Sequence, residues 1–293
     1  MAIRKLVLIA SVVCVALGGA TQTATAFDPD KVFSENEAPS SILRYGFDAL
    51  KAGRTTDAIG AFRHGADKNH LASQWKLARM LQAGEGAPRD QWAAYQLFQK
   101  ISDRFAEIPP NRHDRPYVSN SVVALGLYSL SGIEGTPIVR DPFLAEYHFT
   151  RAAAIYGDAE AQFQLGVLYN SEQLGRPQPR NAARWFGLAS RKGHALAQAE
   201  LGNMLFRGHG VRKNRVKGLV YLTKAATRSA KRGVKRILFL RESAFASANE
   251  AQRNAAYRTI GKSQSVTASG GANPSNPISI LGVQPRPAVN HEE

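Results

Sequence analysis

Small and apolar residues return to one helical face again and again along this chain. In AEAQFQLGVLY, residues 159–169, Ala161, Leu165, Gly166 and Tyr169 stand at offsets 0, 4, 5 and 8, a single stripe at helical periodicity. ALAQAELGNML, residues 195–205, carries a worn copy of that stripe 36 residues later, with Leu201-Gly202 in place of Leu165-Gly166. Followed backwards, the pair recurs as Leu125-Gly126, Leu77-Ala78 and Tyr45-Gly46, so its second position advances by 32, 48, 40 and 36 residues. A second series trails the first: Ala153-Ala154, Ala189-Ser190 and Ala225-Ala226, each preceded four residues earlier by an aromatic, Phe149, Trp185 and Tyr221.

Each series predicts a helix. A Gly or Ala beside the Leu removes side-chain bulk, so a partner helix can come close; for Gly that closeness must offset about 1 kcal/mol of helix propensity. The aromatic and Ala-Ala positions supply the partner face. Turn signals separate the two: Gly84-Glu85-Gly86, Gly132 with Gly135, and Gly208-His209-Gly210. The unit is therefore an antiparallel helix pair. A single pair cannot bury its own apolar stripe, whereas stacked pairs make a continuous core. The expected fold is all-α, an α-solenoid of about five helix pairs over residues 38–262 with a degenerate C-terminal unit around Ile237 and Tyr257. The 48-residue step implies an exposed loop at 105–120, where Pro109, Pro110 and Pro116 exclude a continuous helix. The 40-residue step places extra residues near Gly135 to Asp141.

The ends of the chain read differently. Arg4 and Lys5, the apolar run Leu6 to Leu17 and Ala24-Thr25-Ala26 predict a signal peptide over residues 1–26, with a mature start at Phe27 and no membrane insertion after cleavage. The one cysteine, Cys14, lies inside that signal, so the mature chain is expected to hold no disulfide and no thiolate, as suits an exported protein; the expected location is the periplasm. Residues 27–37 carry Asp28, Asp30, Glu35 and Glu37 and predict a loose acidic arm. Residues 263–293, rich in Ser, Asn, Gly and Pro, predict a disordered tail.

The formal charge is +15, and it is concentrated: between Arg207 and Arg241 there are twelve Lys or Arg and no Asp or Glu. In an exported chain this points away from nucleic acid and towards an acidic protein, lipid headgroup or polysaccharide. Catalysis and metal binding lack a signature. The seven histidines show no paired spacing for one helix face, there is no nucleophile elbow or phosphate loop, and the Gly-x-Gly pairs fall at repeat positions where turn geometry explains them. No catalytic residue, metal ligand or cofactor is expected; Glu107, in the long loop, is the one carboxylate worth testing.

Binding is placed on the face of each first helix that points away from its partner. That face holds Trp75, Arg79 and Gln82 in the second unit, Phe163, Val167 and Asn170 in the fourth, and Ala199, Asn203 and Phe206 in the fifth. These positions present aromatics to an extended peptide or loop. Packing between units is the competing role for Phe163 and Phe206. Arg212, Lys213 and Arg215 extend the candidate surface as a basic docking segment.

The pattern A-x-x-x-L-G-x-x-Y, then G-x-G-V, then W-[YF]-x-x-A resembles the Sel1-like repeat, a relative of the tetratricopeptide repeat; the first unit, with Gly46, Ala58, Phe62 and Ala66, is the more tetratricopeptide-like. The Phe27-Asp28-Pro29 start, ILRYGFDALKAGR and the units that follow also resemble the periplasmic exopolysaccharide-production negative regulators of alphaproteobacteria. That resemblance implies a non-enzymatic inhibitor whose partner is the periplasmic domain of a membrane sensor histidine kinase, with a periplasmic protease releasing the kinase. The expected cut lies in the 105–120 loop. His209, flanked by Arg207 and Arg212, is the expected pH switch, because it gains charge as pH falls through about 6.5. An envelope scaffold holding acidic polysaccharide or peptidoglycan is the alternative.

Overall fold

A computed structural model describes residues 27–107, 109–229 and 234–267, with the side chains of 262–267 left aside. The predicted signal peptide lies outside these residues, as does the predicted tail beyond Thr267. Among the described residues there are thirteen helices and no strand. A one-turn helix α1 (Pro29–Val32) precedes six antiparallel pairs. These are α2 (Pro39–Lys51) with α3 (Thr55–Asp67), α4 (Leu71–Ala83) with α5 (Gln91–Arg104), and α6 (Arg115–Ser131) with α7 (Pro142–Ile155). They continue as α8 (Ala159–Tyr169) with α9 (Pro179–Arg191), α10 (Ala195–Arg207) with α11 (Arg215–Arg228), and α12 (Val234–Ala246) with α13 (Glu250–Thr267). From α2 to α12 each helix packs on the next in sequence, α13 packs back on α11, and some first helices of adjacent pairs also touch: α4 with α6, α8 with α10, α10 with α12. This is the stacked α-solenoid that the repeat predicts.

The pairs close by ring on glycine. A Cβ on Gly46 would stand 2.5 Å from the Phe62 ring, and one on Gly126 would stand 2.5 Å from Phe149. At Gly166 the ring in the way is Phe186, not the predicted Trp185, which is half-buried at its side. Counted from the helix N-cap the rule is strict. Phe62, Phe98, Phe149, Phe186 and Leu222 each lie eight residues after the caps Arg54, Asp90, Asp141, Gln178 and Asn214. A fixed 36-residue step from Phe149 falls one short, on Trp185 and then Tyr221, because α7 is one residue longer than α9. In the fifth pair Gly202 and Gly218 bring the backbones together, each glycine's Cα facing the other's carbonyl oxygen.

The Gly-x-Gly loops do a packing job. Gly84 and Gly208 end α4 and α10 in the left-handed region, φ +76° and +79°. Gly86 and Gly210 then lie against Thr55 and Pro179, the first residues of the preceding pair's second helix. A side chain at either place would strike that backbone.

Three expectations change in detail. Pro116 does not interrupt a helix; it sits in the first turn of α6, where its missing N–H costs nothing, so the long loop is only 105–114. The acidic arm is not loose. The Phe27 ring lies over Gly60, Phe33 stacks on His64 at 5.5 Å and meets Tyr45 at 5.2 Å, and Lys68 donates to the Glu35 carbonyl at 2.7 Å. The last helix runs to Thr267, five residues beyond the expected boundary of the solenoid.

Candidate functional site

A first helix inside a stack is touched by its own partner and by the pairs on both sides. Only a narrow strip of it stays free, and the residue just after the packed glycine occupies that strip. Phe47 is 40% exposed, Leu127 38% and Val167 37%; Arg79 is exposed and Asn203 half-buried. Together they run across five pairs as a ribbon with apolar centre, Leu127 and Val167, and polar neighbours.

The ribbon takes only part of the predicted surface. In each predicted triplet the middle residue, Arg79, Val167 or Asn203, faces out, while Trp75, Phe163, Ala199 and Phe206 turn into the packing. Trp75 is half-buried against Tyr117 of α6 at 5.4 Å, with its Nε1 enclosed, so it joins pairs instead of gripping a ligand. Phe163 stacks on His194 at 4.6 Å and touches Phe186 at 5.8 Å, again between pairs. Phe206 is buried, 6% exposed, beneath the Arg215 guanidinium at 5.1 Å. Gln82 remains beside the ribbon, where it accepts from Arg79 Nη1 at 3.4 Å. Burial pushes up the Tyr128 phenol close to this end.

The basic segment divides in the same way. Arg215 is held over Phe206 and donates to the Ser247 carbonyl at 3.4 Å, tying α11 to the last pair. Arg236 pairs with Glu200 at 3.0 Å, Lys217 lies over Tyr221 at 5.8 Å and Arg241 over Phe245 at 5.0 Å. Arg212, Lys213, Arg228 and Lys235 are exposed. Lys231 and Arg232 lie outside the described residues.

A polar cleft ends the ribbon, lined by Asn170, Glu200, Asn203, Arg207 and His209. Arg207 Nε donates to Asn203 Oδ1 at 3.0 Å, and His209 Nε2 donates to Asn170 Oδ1 at 3.2 Å. The expected switch residue thus bridges α8 to the turn after α10 beside Arg207. The sequence alone missed His194. Its Nδ1 accepts from the Ala197 N–H at 3.1 Å and caps α10, while Nε2 donates to Glu160 at 3.1 Å across the junction of the fourth and fifth pairs. The contact pairs residues 34 apart, which no local pattern signals.

Among the described residues no group of three or more His, Cys, Asp or Glu is placed to hold a metal ion. Glu107 is exposed in the 105–114 loop. The loop's base is clamped by Arg151, which donates to Ser102 Oγ at 2.7 Å, to the Ser102 carbonyl at 3.2 Å and to the Phe105 carbonyl at 3.1 Å.

Comparison with known proteins places these features in a family. The Sel1 repeat matches residues 71–104, 121–154, 159–194 and 195–229, which are the second to fifth pairs. The exopolysaccharide production negative regulator of Rhizobium meliloti strain 1021 is 32% identical over 233 residues, 80% of this chain and 85% of that protein. Its counterpart in Rhizobium leguminosarum biovar viciae is 33% identical over 232 residues, 79% of this chain and 84% of that protein. Among solved structures, a Sel1 repeat protein from Oxalobacter formigenes superposes with a TM-score of 0.58 at 21% identity, over 80% of this chain and 91% of that one, a likeness of fold. The chain belongs to the family of Sel1-repeat exopolysaccharide production negative regulators.

Proposed function

We propose that the protein restrains exopolysaccharide production by binding, not by catalysis, and that its partner is the periplasmic sensing domain of a membrane histidine kinase. The ribbon Phe47–Arg79–Leu127–Val167–Asn203 carries this reading: it crosses five pairs, has an apolar centre and is bordered by cations and amides. Such a surface grips an extended segment of another protein without needing an enclosed pocket. The names of the two Rhizobium relatives support the regulatory direction. The signal-like residues 1–26 support action in the periplasm. Exposed cations on α11 and α12 raise the encounter rate with an acidic sensor domain.

Co-purification from a cell-envelope extract tests the proposal. The full chain should retain a histidine kinase, the Val167→Asp variant should retain several-fold less, and cells lacking the chain should overproduce exopolysaccharide. Recovery of no kinase, with a normal polysaccharide phenotype, would reject it. The exposed Arg212, Lys213, Arg228 and Lys235 favour a second reading, an envelope scaffold for acidic polysaccharide. Retention on an acidic glycan column that is lost on Arg212→Gln with Lys213→Gln, and no kinase in the eluate, would select it.

A further inference from the structure

The second helix of the third pair wears an unusual outer face. Phe143, Tyr147, Thr150 and Ala154 stand on α7 at spacings of four, three and four, a seam of the kind that packs helix on helix. Phe143 is 66% exposed and Tyr147 60%; Ile155 beside them is 55% exposed and Val139, just before the helix, 73%. Other pairs show what the position normally carries. Aligned on the buried ring, Ala154-Ile155 of α7 correspond to Asp67-Lys68, Asp103-Arg104 and Arg191-Lys192 at the ends of α3, α5 and α9. On α11 the equivalents of Phe143 and Tyr147 are Val216 and Val220, and these are covered: they belong to the cluster completed by Ala256 and Ile260 of α13. On α9 this face meets water with Arg180 and Arg184 at the Phe143 and Tyr147 positions, on α5 it carries Trp92, 36% exposed, and Gln96, and on α11 it is apolar under a helix. On α7 it is apolar, and among the described residues no helix lies over it.

We infer that this face is closed by α7 of a second copy of the chain, running antiparallel about a two-fold axis. The order of side-chain sizes selects that occupant. Along the seam they run large, large, small, small, so antiparallel pairing sets Phe143 against Ala154 of the other copy and Tyr147 against Thr150, twice over. A parallel pairing would set ring against ring. One surface that is its own complement is what a closed dimer requires. Val139, Phe143, Leu144, Tyr147 and Ile155 are each between 42% and 73% exposed, a substantial part of the ~800 Å² per partner that a stable interface buries. Charge agrees as well. The only formal charges on α7 are one Glu146 and one Arg151, so two copies of a +15 chain meet there without facing cation on cation. The ribbon of first helices lies on a different set of helices and stays open in the dimer.

Sedimentation of the full chain at up to about 100 µM tests the pairing. A dimer is expected, converting to monomer in Phe143→Asp with unchanged far-ultraviolet circular dichroism. Crosslinking gives a second reading that does not depend on that variant. In a Cys14→Ser background, Thr150→Cys should be joined to its symmetry mate by a short bis-maleimide. Gly187→Cys, its equivalent on α9 with open space around it, should not. A monomer at every concentration, a dimer indifferent to Phe143→Asp, or equal crosslinking at the two positions would overturn the inference; the monomer would leave the face to a different protein.

Discussion

The Phe186 ring occupies the space that a side chain on Gly166 would need: a Cβ there would fall well inside contact with two ring carbons. The relation recurs at Gly46 with Phe62 and at Gly126 with Phe149, so it is the closure rule of the helix pair and not an accident of one junction. Gly166→Ala should therefore destabilise the chain by about 1–3 kcal/mol through overpacking, although it improves helix propensity. Phe186→Ala should cost about 3–5 kcal/mol through the cavity it leaves. Urea denaturation measures both. A neutral or stabilising Gly166→Ala would show that close approach does not hold the pair together.

His148 gives the fold a pH dependence. It is 8% exposed with its Nδ1 enclosed and unpartnered, and burial first, then the nearby Arg151, lowers its pKa from 6.5 to about 4; Asp103 acts weakly the other way. Between those values the unfolded chain binds a proton that the folded chain refuses. The stability contribution is thus complete above about pH 6.5 and is lost as pH falls towards about 4, with a slope of at most about 1.4 kcal/mol per pH unit. Stability measured across this window in His148→Leu should show a shallower fall than the parent. Identical slopes would clear His148 of the effect.

The second glycine of the Gly-x-Gly loop is held by its neighbour as well as by its own backbone. Gly210 has φ +69° and lies against Pro179, whereas Gly175 has φ +92° and nothing within 4 Å. Replacing each by Ala should cost about 1 kcal/mol for the backbone at Gly175 and distinctly more at Gly210, where the fourth and fifth pairs must separate. Melting temperatures of the two variants decide it, equal losses being the contrary result.

Arg151 is the clamp of the 105–114 loop through its contacts with Ser102 and Phe105. Arg151→Met should remove about 1.5–3 kcal/mol and speed proteolytic cleavage within 105–114 more than elsewhere. Fragment masses locate the cut. Cleavage confined to another loop would separate Arg151 from the loop's protection.

Ribbon and packing residues should respond oppositely. Leu127→Asp, at a 38% exposed position, should weaken partner capture while shifting stability by no more than about 0.5 kcal/mol. Trp75→Ala, between α4 and α6, should lower stability by about 2–4 kcal/mol. Paired pull-down and denaturation curves on the two variants test this assignment, and a stable Trp75→Ala that no longer binds would return Trp75 to the ribbon.

The chain's own periodicity determined the all-α stack, the helix-pair unit, the glycine positions and the turns, because each depends on residues within one helix or one loop. Tertiary structure decided which exposed-looking residue faces outward. A step of one residue turns a helix side chain by about 100°, so Trp185 and Phe186 are hard to tell apart in a repeat pattern yet point to different faces of α9. Trp75, Phe163 and Phe206 share a face with Arg79 and Asn203 on an isolated helix. Only the arrival of neighbouring pairs covers the first three and leaves the strip between them. The arm's fixation by Phe27 and Phe33, the His194–Glu160 junction and the bare face of α7 likewise rest on contacts between residues far apart in the chain, and no local pattern encodes them.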